Sequence, residues 1–264
     1  MPIIGDTYYS SCPVCGTSCN AAEHNLWKIP FSKVENCHYG KLSLPRLPLL
    51  NSEDIYWYTQ CPNTKCRTVF LDPCPSTYWD NRDNDHHVRK AQTRQDWPSY
   101  QTRVHELFTV SVPTYDLVID VATGGCQCLT IMKELSLPWK RMIATDIRNS
   151  SVQYAKLLGF EGYQHDICDP NVPWEGKANY IIFAEAFEHV RSPLLAFHRM
   201  VDLLAPEGYL YTTAIAREGA LPIRPGENMM TTEEALQGLV QSCGLQIRTK
   251  LLQSGRWKLI LQKP

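Results

Sequence analysis

Three apolar segments in the second half of the chain are each followed closely by an aspartate. The first, residues 115–121, carries Asp120 near its end and breaks into a loop of small residues around Gly124. Asp146 and Asp166 follow the next two segments. In open α/β sheets, ligands bind outside the carboxyl ends of the strands, where a carboxylate can accept hydrogen bonds from ribose hydroxyls. This spacing predicts a site for a nucleoside-bearing cofactor.

The loop after the first segment carries a motif. Residues 120–128 resemble the first motif of class I S-adenosylmethionine-dependent methyltransferases, in which an acid is followed by glycines at alternating positions. Small residues let the backbone approach the ligand, and glycine permits a sharp turn from strand to helix. Here Ala122 and Cys126 replace the first and third glycines, whereas Gly124 keeps the middle one with Gly125 beside it.

The resemblance implies a role for each strand-end acid. Asp146 would accept hydrogen bonds from both ribose hydroxyls. Asp166 would accept one from the exocyclic amine of adenine, with Ile167 packed on the ring. Ala184 and Glu185 follow the fourth strand and would lie beside the methionine moiety of S-adenosyl-L-methionine. The cofactor-binding residues that the resemblance implies are Asp120, Ala122, Gly124, Gly125, Asp146, Ile147, Asp166, Ile167, Ala184 and Glu185.

A dinucleotide dehydrogenase is the natural competitor for such a strand-loop-helix segment. A bound pyrophosphate requires Gly-x-Gly-x-x-Gly, with close approach of the backbone to the phosphates. Counted from Ala122, this chain offers alanine, Gly124 and Gln127 at those positions. A glutamine fits poorly where helix and strand must touch, so the loop favours the methyltransferase cofactor.

Residues 185–190 contain the candidates for chemistry. They resemble the Glu-x-x-Glu-His segment of small-molecule methyltransferases related to the ubiquinone-pathway O-methyltransferases. His189 could remove a proton from an oxygen nucleophile near neutral pH. Glu188 could orient His189 or hydrogen-bond the acceptor. The simpler alternative is that His189 only satisfies backbone groups of a turn and that Glu185 only holds the amine of the cofactor.

The same Glu-x-x-Glu-His pattern occurs in metal-dependent methyltransferases that act on the 3′ end of small RNAs. Those enzymes need a further histidine after the fifth strand, and residues 212–218 contain none. His198 falls on the polar side of a predicted helix. We therefore expect no catalytic metal.

Cysteines are concentrated at the N-terminus, where seven of the eleven lie within the first 74 residues. Without an export signal, clustered cysteines hold metal more often than they form disulfides. The pairs Cys12/Cys15 and Cys61/Cys66 have the spacing of two zinc knuckles and could close one tetrahedral structural site. This arrangement resembles a zinc ribbon joined to a methyltransferase. Alternative ligands are Cys19, Cys37, His38 and Cys74, and all seven cysteines could instead be reduced, buried thiols.

The elements that must position these residues form an α/β pattern. We expect a seven-stranded, doubly wound, mostly parallel sheet with a reversed last strand, plus a small N-terminal zinc-ribbon-like domain. The last two strands are joined by residues 254–256, too short for a parallel crossover. Ser192, with Pro193 after it, is predicted to cap one helix, and Thr231 with Glu234 to form a capping box on another. The predicted strands are 115–121, 141–145, 162–165, 180–183, 209–215, 245–252 and 257–261.

Composition divides the chain into three parts. Residues 1–80 are rich in cysteine and proline and form the predicted zinc-ribbon-like domain. Residues 81–97 are polar and charged, typical of a linker or a solvated helix. Residues 98–264 carry the alternating strand and helix signals and the whole of the methyltransferase resemblance.

Charge and hydrophobicity limit the partners. Lysine and arginine total 26 and aspartate and glutamate 27, a net charge of −1, whereas dedicated nucleic-acid binders usually show a basic face. No segment approaches the roughly 18 apolar residues that span a bilayer, and no signal peptide is evident. We therefore expect a soluble, cytoplasmic protein with no nucleic-acid or membrane partner.

Three functions are compatible with the sequence. The first is S-adenosylmethionine-dependent methylation of a small-molecule substrate. The second is methylation of an RNA base, since ribosomal-RNA guanine methyltransferases also join an N-terminal zinc module to this fold, although their metal ligands are spaced more closely. The third is a non-catalytic pseudo-methyltransferase that binds a partner, which the altered loop at Ala122 and Cys126 would permit. The sequence favours the first.

Overall fold

A computed structural model describes residues 11–19, 25–30, 55–72, 86–112, 114–190, 192–216 and 229–264. Its centre is a seven-stranded sheet, which confirms the predicted fold class. The strands of this sheet are β4 (Leu117–Val121), β5 (Arg141–Asp146), β6 (Glu161–Gln164), β7 (Ala178–Phe183), β8 (Leu204–Ile215), β10 (Gln246–Gln253) and β11 (Arg256–Gln262).

The strand order brings the predicted cofactor residues together at the carboxyl ends of the parallel strands. The order is β10-β11-β8-β7-β4-β5-β6, in which β8, β7, β4, β5 and β6 pair in parallel and β11 is antiparallel to both neighbours. The expected reversed last strand is thus confirmed. Because β4, β5 and β7 run in the same direction, the loops after them all emerge at the carboxyl edge of the sheet.

Helices cover both faces of this sheet. Buried side chains of α2 and α3, such as Leu107 and Leu129, pack on one face, and those of α5 and α6, such as Phe197 and Leu236, pack on the other. The helices are α1 (His86–Gln92), α2 (Trp97–Leu107), α3 (Gln127–Glu134), α4 (Asn149–Leu157), α5 (Pro193–Leu203) and α6 (Glu233–Ser242), with a short 3₁₀ helix at Phe187–His189. No helix in the described part of the chain is long and apolar enough to cross a membrane.

The two predicted helix caps have different outcomes. Ser192 caps α5 as expected, because its side chain accepts a hydrogen bond from the amide of Leu195. The capping box at Thr231 is wrong: Thr232 caps α6 and accepts from the amide of Ala235 at 3.1 Å. The reason is that the amide of Thr231 bonds to the carbonyl of Ile215, which makes Thr231 part of a bridge to the sheet.

The N-terminal residues form a second, four-stranded antiparallel sheet. Its strands are β1 (Asn25–Pro30), β2 (Ile55–Gln60), β3 (Val69–Asp72) and β9 (Met229–Met230), in that order. The pairing of β3 with β9 joins the N-terminal module to a segment from the other end of the chain. Two further hydrogen bonds strengthen this junction, from the Thr232 hydroxyl to the Cys66 carbonyl at 2.7 Å and from the Leu194 amide to the Pro13 carbonyl at 3.1 Å.

Candidate active site

The loop between β4 and α3 has the backbone shape of a glycine-rich turn although two of its glycines are replaced. Ala122 has φ 56° and Cys126 has φ 57°, close to the φ of 59° at Gly124. Non-glycine residues in this left-handed region are strained by about 1–2 kcal/mol each. The chain therefore keeps the tight turn at the carboxyl end of β4, where backbone can approach a ligand, and accepts strain to do so.

Asp120 is buried beneath this loop. Its carboxylate accepts a hydrogen bond from the Thr123 hydroxyl at 2.8 Å. Burial raises the pKa of Asp120 to about 7, although the Thr123 hydrogen bond and the charge of Arg103 act in the opposite direction. The acid is thus poised to change its protonation state near neutral pH when a charged group arrives.

Asp146 lies at the end of β5 and holds the glycine loop. Its Oδ2 accepts a hydrogen bond from the Gly124 amide at 2.9 Å, which ties the ends of β4 and β5 together. The side chain of Arg148 also binds it, and this interaction lowers the pKa of Asp146 even though burial alone would raise it. Asp120 and Asp146 are therefore neighbours at one edge, as the sequence predicted.

The third acid follows β6 at the same edge, where the His165 amide bonds to the Asp146 carbonyl at 3.0 Å. Asp166 is partly exposed, and its Oδ1 accepts from the Cys168 amide at 2.9 Å. Ile147 is 41% exposed, whereas Ile167 is 5% exposed and packs in the core. The apolar surface available to an adenine ring near Asp146 thus comes from Ile147, and the proposed contact of Ile167 with the ring stays a prediction.

Glu185, beyond the end of β7, is held in position by two groups. It has φ 52°, its amide donates to the Thr213 hydroxyl at 2.7 Å, and its carboxylate pairs with Arg103 of α2. Burial would raise the pKa of Glu185, but the charges of Arg103 and Arg256 lower it. An ionised carboxylate at this place suits a ligand ammonium group. Arg103 was missed by sequence reasoning, because nothing in the local pattern of α2 marks it.

Glu188 and His189 lie in the 3₁₀ helix, the place where a catalytic pair was predicted. The Glu188 side chain is fully buried and its Oε1 pairs with Arg256 of β11. Its Oε2 has no hydrogen-bond partner among the described residues. His189 is half-buried, and its amide bonds to the Ala186 carbonyl at 2.9 Å. The roles assigned to Glu188 and His189 stay predictions, and Arg256 is a second arginine that sequence reasoning missed.

Helix α1 covers the glycine loop, although its residues belong to the segment expected to be a linker or a solvated helix. A Cβ at Gly124 would lie 3.5 Å from the His87 ring. At Gly125 it would lie 2.5 Å from the His87 carbonyl oxygen and 2.6 Å from the Ala91 Cβ. Gly125 is therefore needed for close packing, and the double glycine is the sequence signal for it.

The four predicted zinc ligands converge in the N-terminal module. The Sγ atoms of Cys12, Cys15, Cys61 and Cys66 all lie within 4.8 Å of one another, with Cys12 to Cys66 at 3.8 Å and Cys15 to Cys61 at 3.6 Å. A tetrahedron with Zn–S bonds of about 2.3 Å has edges of roughly 3.8 Å, so the spacing fits one zinc ion. Gly16, at φ 71°, allows the turn of the first knuckle.

Of the alternative zinc ligands that the sequence offered, the structure describes only Cys19. Cys19 is buried and its thiol donates to the Thr17 carbonyl, outside the group of four. Burial raises the pKa of Cys19 to about 12, which disfavours the thiolate that a metal needs. Cys37, His38 and Cys74 lie outside the described residues.

Comparisons with known proteins agree with this geometry. A family model described as a methyltransferase domain matches residues 116–263. Among solved structures, an O-methyltransferase family protein from Burkholderia thailandensis shares 15% identity at a TM-score of 0.56, over 70% of this chain and 61% of that one. A SAM-dependent methyltransferase from Aquifex aeolicus shares 17% identity at a TM-score of 0.52, over 67% of this chain and 98% of that one. Curated protein sequences give no match.

The fold and the strand-end site together define a class I methyltransferase. The matched model covers more than half of the chain, so the chain belongs to the methyltransferase-domain family and is an S-adenosylmethionine-dependent enzyme. A third similar structure, the [4+2]-cyclase SpnF, shares 14% identity at a TM-score of 0.54 over 69% of this chain and 85% of that one. Structural similarity at this level of identity establishes the fold, so the acceptor must be argued from the site.

Proposed function

We propose that this protein methylates a small-molecule acceptor bound between the ends of β7 and β8 and the 3₁₀ helix. The observation that carries the proposal is that Asp120 and Asp146 hydrogen-bond to the strained glycine loop, while Glu185, beyond the end of the neighbouring strand β7, is fixed by Arg103. S-adenosylmethionine supplies an electrophilic methyl group on a sulfonium, and it carries a ribose and an ammonium that suit these carboxylates.

The residues of the chain divide the work in this proposal. Asp146 holds the ribose and Glu185, fixed by Arg103, holds the amino group of the methionine moiety. His189 removes a proton from the acceptor, and Glu188 orients either His189 or the acceptor. Because methyl transfer is an in-line displacement, most of the catalytic effect comes from holding donor and acceptor close together and aligned.

The pairing of the arginines supports a small molecule over RNA. Arg103, Arg148 and Arg256 lie at the carboxyl edge of the sheet, and each is bound to a carboxylate of the site. Arginines neutralised in this way are poorly placed to bind phosphates, and the net charge of −1 adds no attraction for a polyanion.

We also propose that the cysteine cluster binds one structural zinc ion. Four thiolates fill a tetrahedral shell and leave no open position for catalysis. The hydrogen bond between the Cys12 and Cys15 thiols raises the pKa of Cys12 and lowers the pKa of Cys15, which favours a thiolate at Cys15. A bound cation would stabilise the remaining thiolates.

Calorimetric titration with S-adenosylmethionine tests the cofactor site. We expect saturable binding by the wild type, none by Asp146→Ala, and unchanged binding by Asp116→Ala, whose carboxylate pairs with Lys140 at the far end of β4. No binding by the wild type would favour the pseudo-methyltransferase. Unchanged binding by Asp146→Ala would show that the ribose is held elsewhere.

Two measurements test the acceptor class and the metal. The affinity for RNA should be weak and should depend little on salt, whereas a steep loss of affinity with salt would favour an RNA acceptor.

Metal analysis of the purified protein should find close to one zinc per chain, and less than about half an equivalent would contradict a closed structural site.

A further inference from the structure

Asp146 is surrounded by four hydrogen-bond donors. Its Oδ1 accepts from the Arg148 amide at 2.9 Å and from the Arg148 Nε at 3.0 Å. Its Oδ2 accepts from the Gly124 amide at 2.9 Å and from the Arg148 Nη2 at 3.0 Å. Asp146 is 2% exposed, so these donors and the side chains of the core enclose its carboxylate almost completely.

A carboxylate offers about four lone-pair sites, two on each oxygen. All four are occupied in this structure, two of them by backbone amides and two by one arginine side chain. The two hydroxyls of a ribose would need two of these sites. A ribose can therefore bind Asp146 only after one or more of the existing donors has left.

The Arg148 side chain is the donor whose displacement would leave the backbone in place. The Gly124 amide belongs to the loop that α1 covers, and the Arg148 amide belongs to the turn that begins α4. Displacing either amide would disrupt the backbone at the edge of the sheet. The guanidinium group ends a flexible side chain that is 19% exposed, and it can rotate into solvent while the backbone stays in place.

We propose that Arg148 is a gating residue that competes with the ribose hydroxyls for Asp146 and thereby sets the affinity for the cofactor. The inference rests on the proposed role of Asp146 and adds a residue that the methyltransferase motif does not contain. A protein that binds only when Arg148 is displaced has its affinity reduced by the fraction of molecules in the displaced state. Removing the guanidinium should therefore strengthen binding.

The test measures the dissociation constant of S-adenosylhomocysteine by calorimetry at pH 8, where Asp146 is ionised. Arg148→Ala should bind about tenfold more tightly than the wild type, the gain expected if roughly one molecule in ten is displaced at equilibrium. Arg148→Lys keeps the charge but loses the bidentate geometry, so its dissociation constant should lie between those of Arg148→Ala and the wild type. Arg141→Ala is the matched control, because Arg141 makes an equally two-pronged pair with Glu161 at the opposite end of β5.

A ligand without the ribose hydroxyls separates gating from a general electrostatic effect. The gain in Arg148→Ala should be present for adenosine and absent for 2′,3′-dideoxyadenosine, because the latter has no need of Asp146. Weaker or unchanged binding of S-adenosylhomocysteine by Arg148→Ala would overturn the gating role while leaving the proposed function intact. Failure of the wild type and every variant to bind would instead reject the cofactor site itself, and the gate with it.

Discussion

At the scale of single residues, the glycine loop keeps its backbone conformation although alanine and cysteine replace two of its glycines. Ala122 is exposed and has φ 56°, so its methyl group contributes strain without packing. Ala122→Gly should therefore raise the free energy of unfolding by about 1 kcal/mol in urea denaturation. Ser136→Gly, also exposed with φ 54° but distant from the site, should give a similar gain. A loss of stability in Ala122→Gly would mean that its methyl group is needed.

Asp120 makes the stability of the cofactor-free protein depend on pH. Its folded pKa of about 7 lies above the value of about 3.9 in an unfolded chain, so the folded state binds the proton more tightly. This stabilisation is complete below about pH 4 and is lost as the pH rises through about 7, in total of order 2–4 kcal/mol. Urea denaturation at pH 5 and pH 7.5 should show this fall in the wild type. In Asp120→Asn the fall between pH 5 and pH 7.5 should be smaller by about 2 kcal/mol, because part of the stabilisation is already lost by pH 5. Equal falls in both proteins would contradict the raised pKa.

The residues of the site differ in how well the sequence predicts them. The positions of Asp120, Asp146 and Glu185 at the strand ends could be predicted because an acid near the end of an apolar strand is a local pattern with a known place in the fold, while their roles stay predictions. Arg103 and Arg256, which pair with Glu185 and Glu188, were not predicted, since they come from α2 and β11 and meet these carboxylates only in the folded chain. Ion pairs between residues that are distant in the chain cannot be predicted from local sequence patterns.

At the scale of elements, α1 depends on the second glycine of the loop. A Cβ at Gly125 would lie 2.5 Å from the His87 carbonyl oxygen, which is backbone and cannot yield easily. Gly125→Ala should push α1 away and lower the free energy of unfolding by about 1–3 kcal/mol, measured by urea denaturation. It should also weaken cofactor binding, because α1 covers the loop.

A second glycine provides the control for this prediction. A Cβ at Gly238, inside α6, would meet nothing within 4 Å. Gly238→Ala should therefore stabilise the protein by about 0.5–1 kcal/mol through helix propensity. If Gly125→Ala were as harmless as Gly238→Ala, α1 would not pack on the loop as described.

The boundaries of helices are predicted well where local capping residues determine them. They are predicted less well where tertiary contacts select the capping residue. Ser192 followed by Pro193 fixes the start of α5 locally, and the structure agrees. The sequence favours Thr231 as the cap because Glu234 completes a capping box, but the hydrogen bond of the Thr231 amide to the Ile215 carbonyl leaves Thr232 to cap α6. The choice depends on a strand 16 residues earlier in the chain, which no local rule includes.

At the scale of the whole molecule, the cysteine module is connected to the 3₁₀ helix, which we propose lies beside the acceptor. The buried side chains of Cys12, Cys61 and Phe70 belong to the same apolar cluster as Phe187 of the 3₁₀ helix. The strand β9, paired with β3, contacts that helix. The module therefore supports the segment that carries Glu188 and His189, and it is more than an independent domain.

Loss of the proposed zinc ion should thus loosen one part of the enzyme selectively. In Cys66→Ser, hydrogen exchange at residues 229–232 and 187–189 should accelerate by about tenfold or more, because the pairing of β3 with β9 opens more often. Exchange in β4 should change much less, since its neighbours β5 and β7 are unaffected. Cys243→Ser, at a buried cysteine after α6 outside the cluster of four, is the control and should leave residues 187–189 protected. Equal acceleration in β4 would indicate global destabilisation, and no acceleration at residues 187–189 would show that the cysteine module does not support the active site.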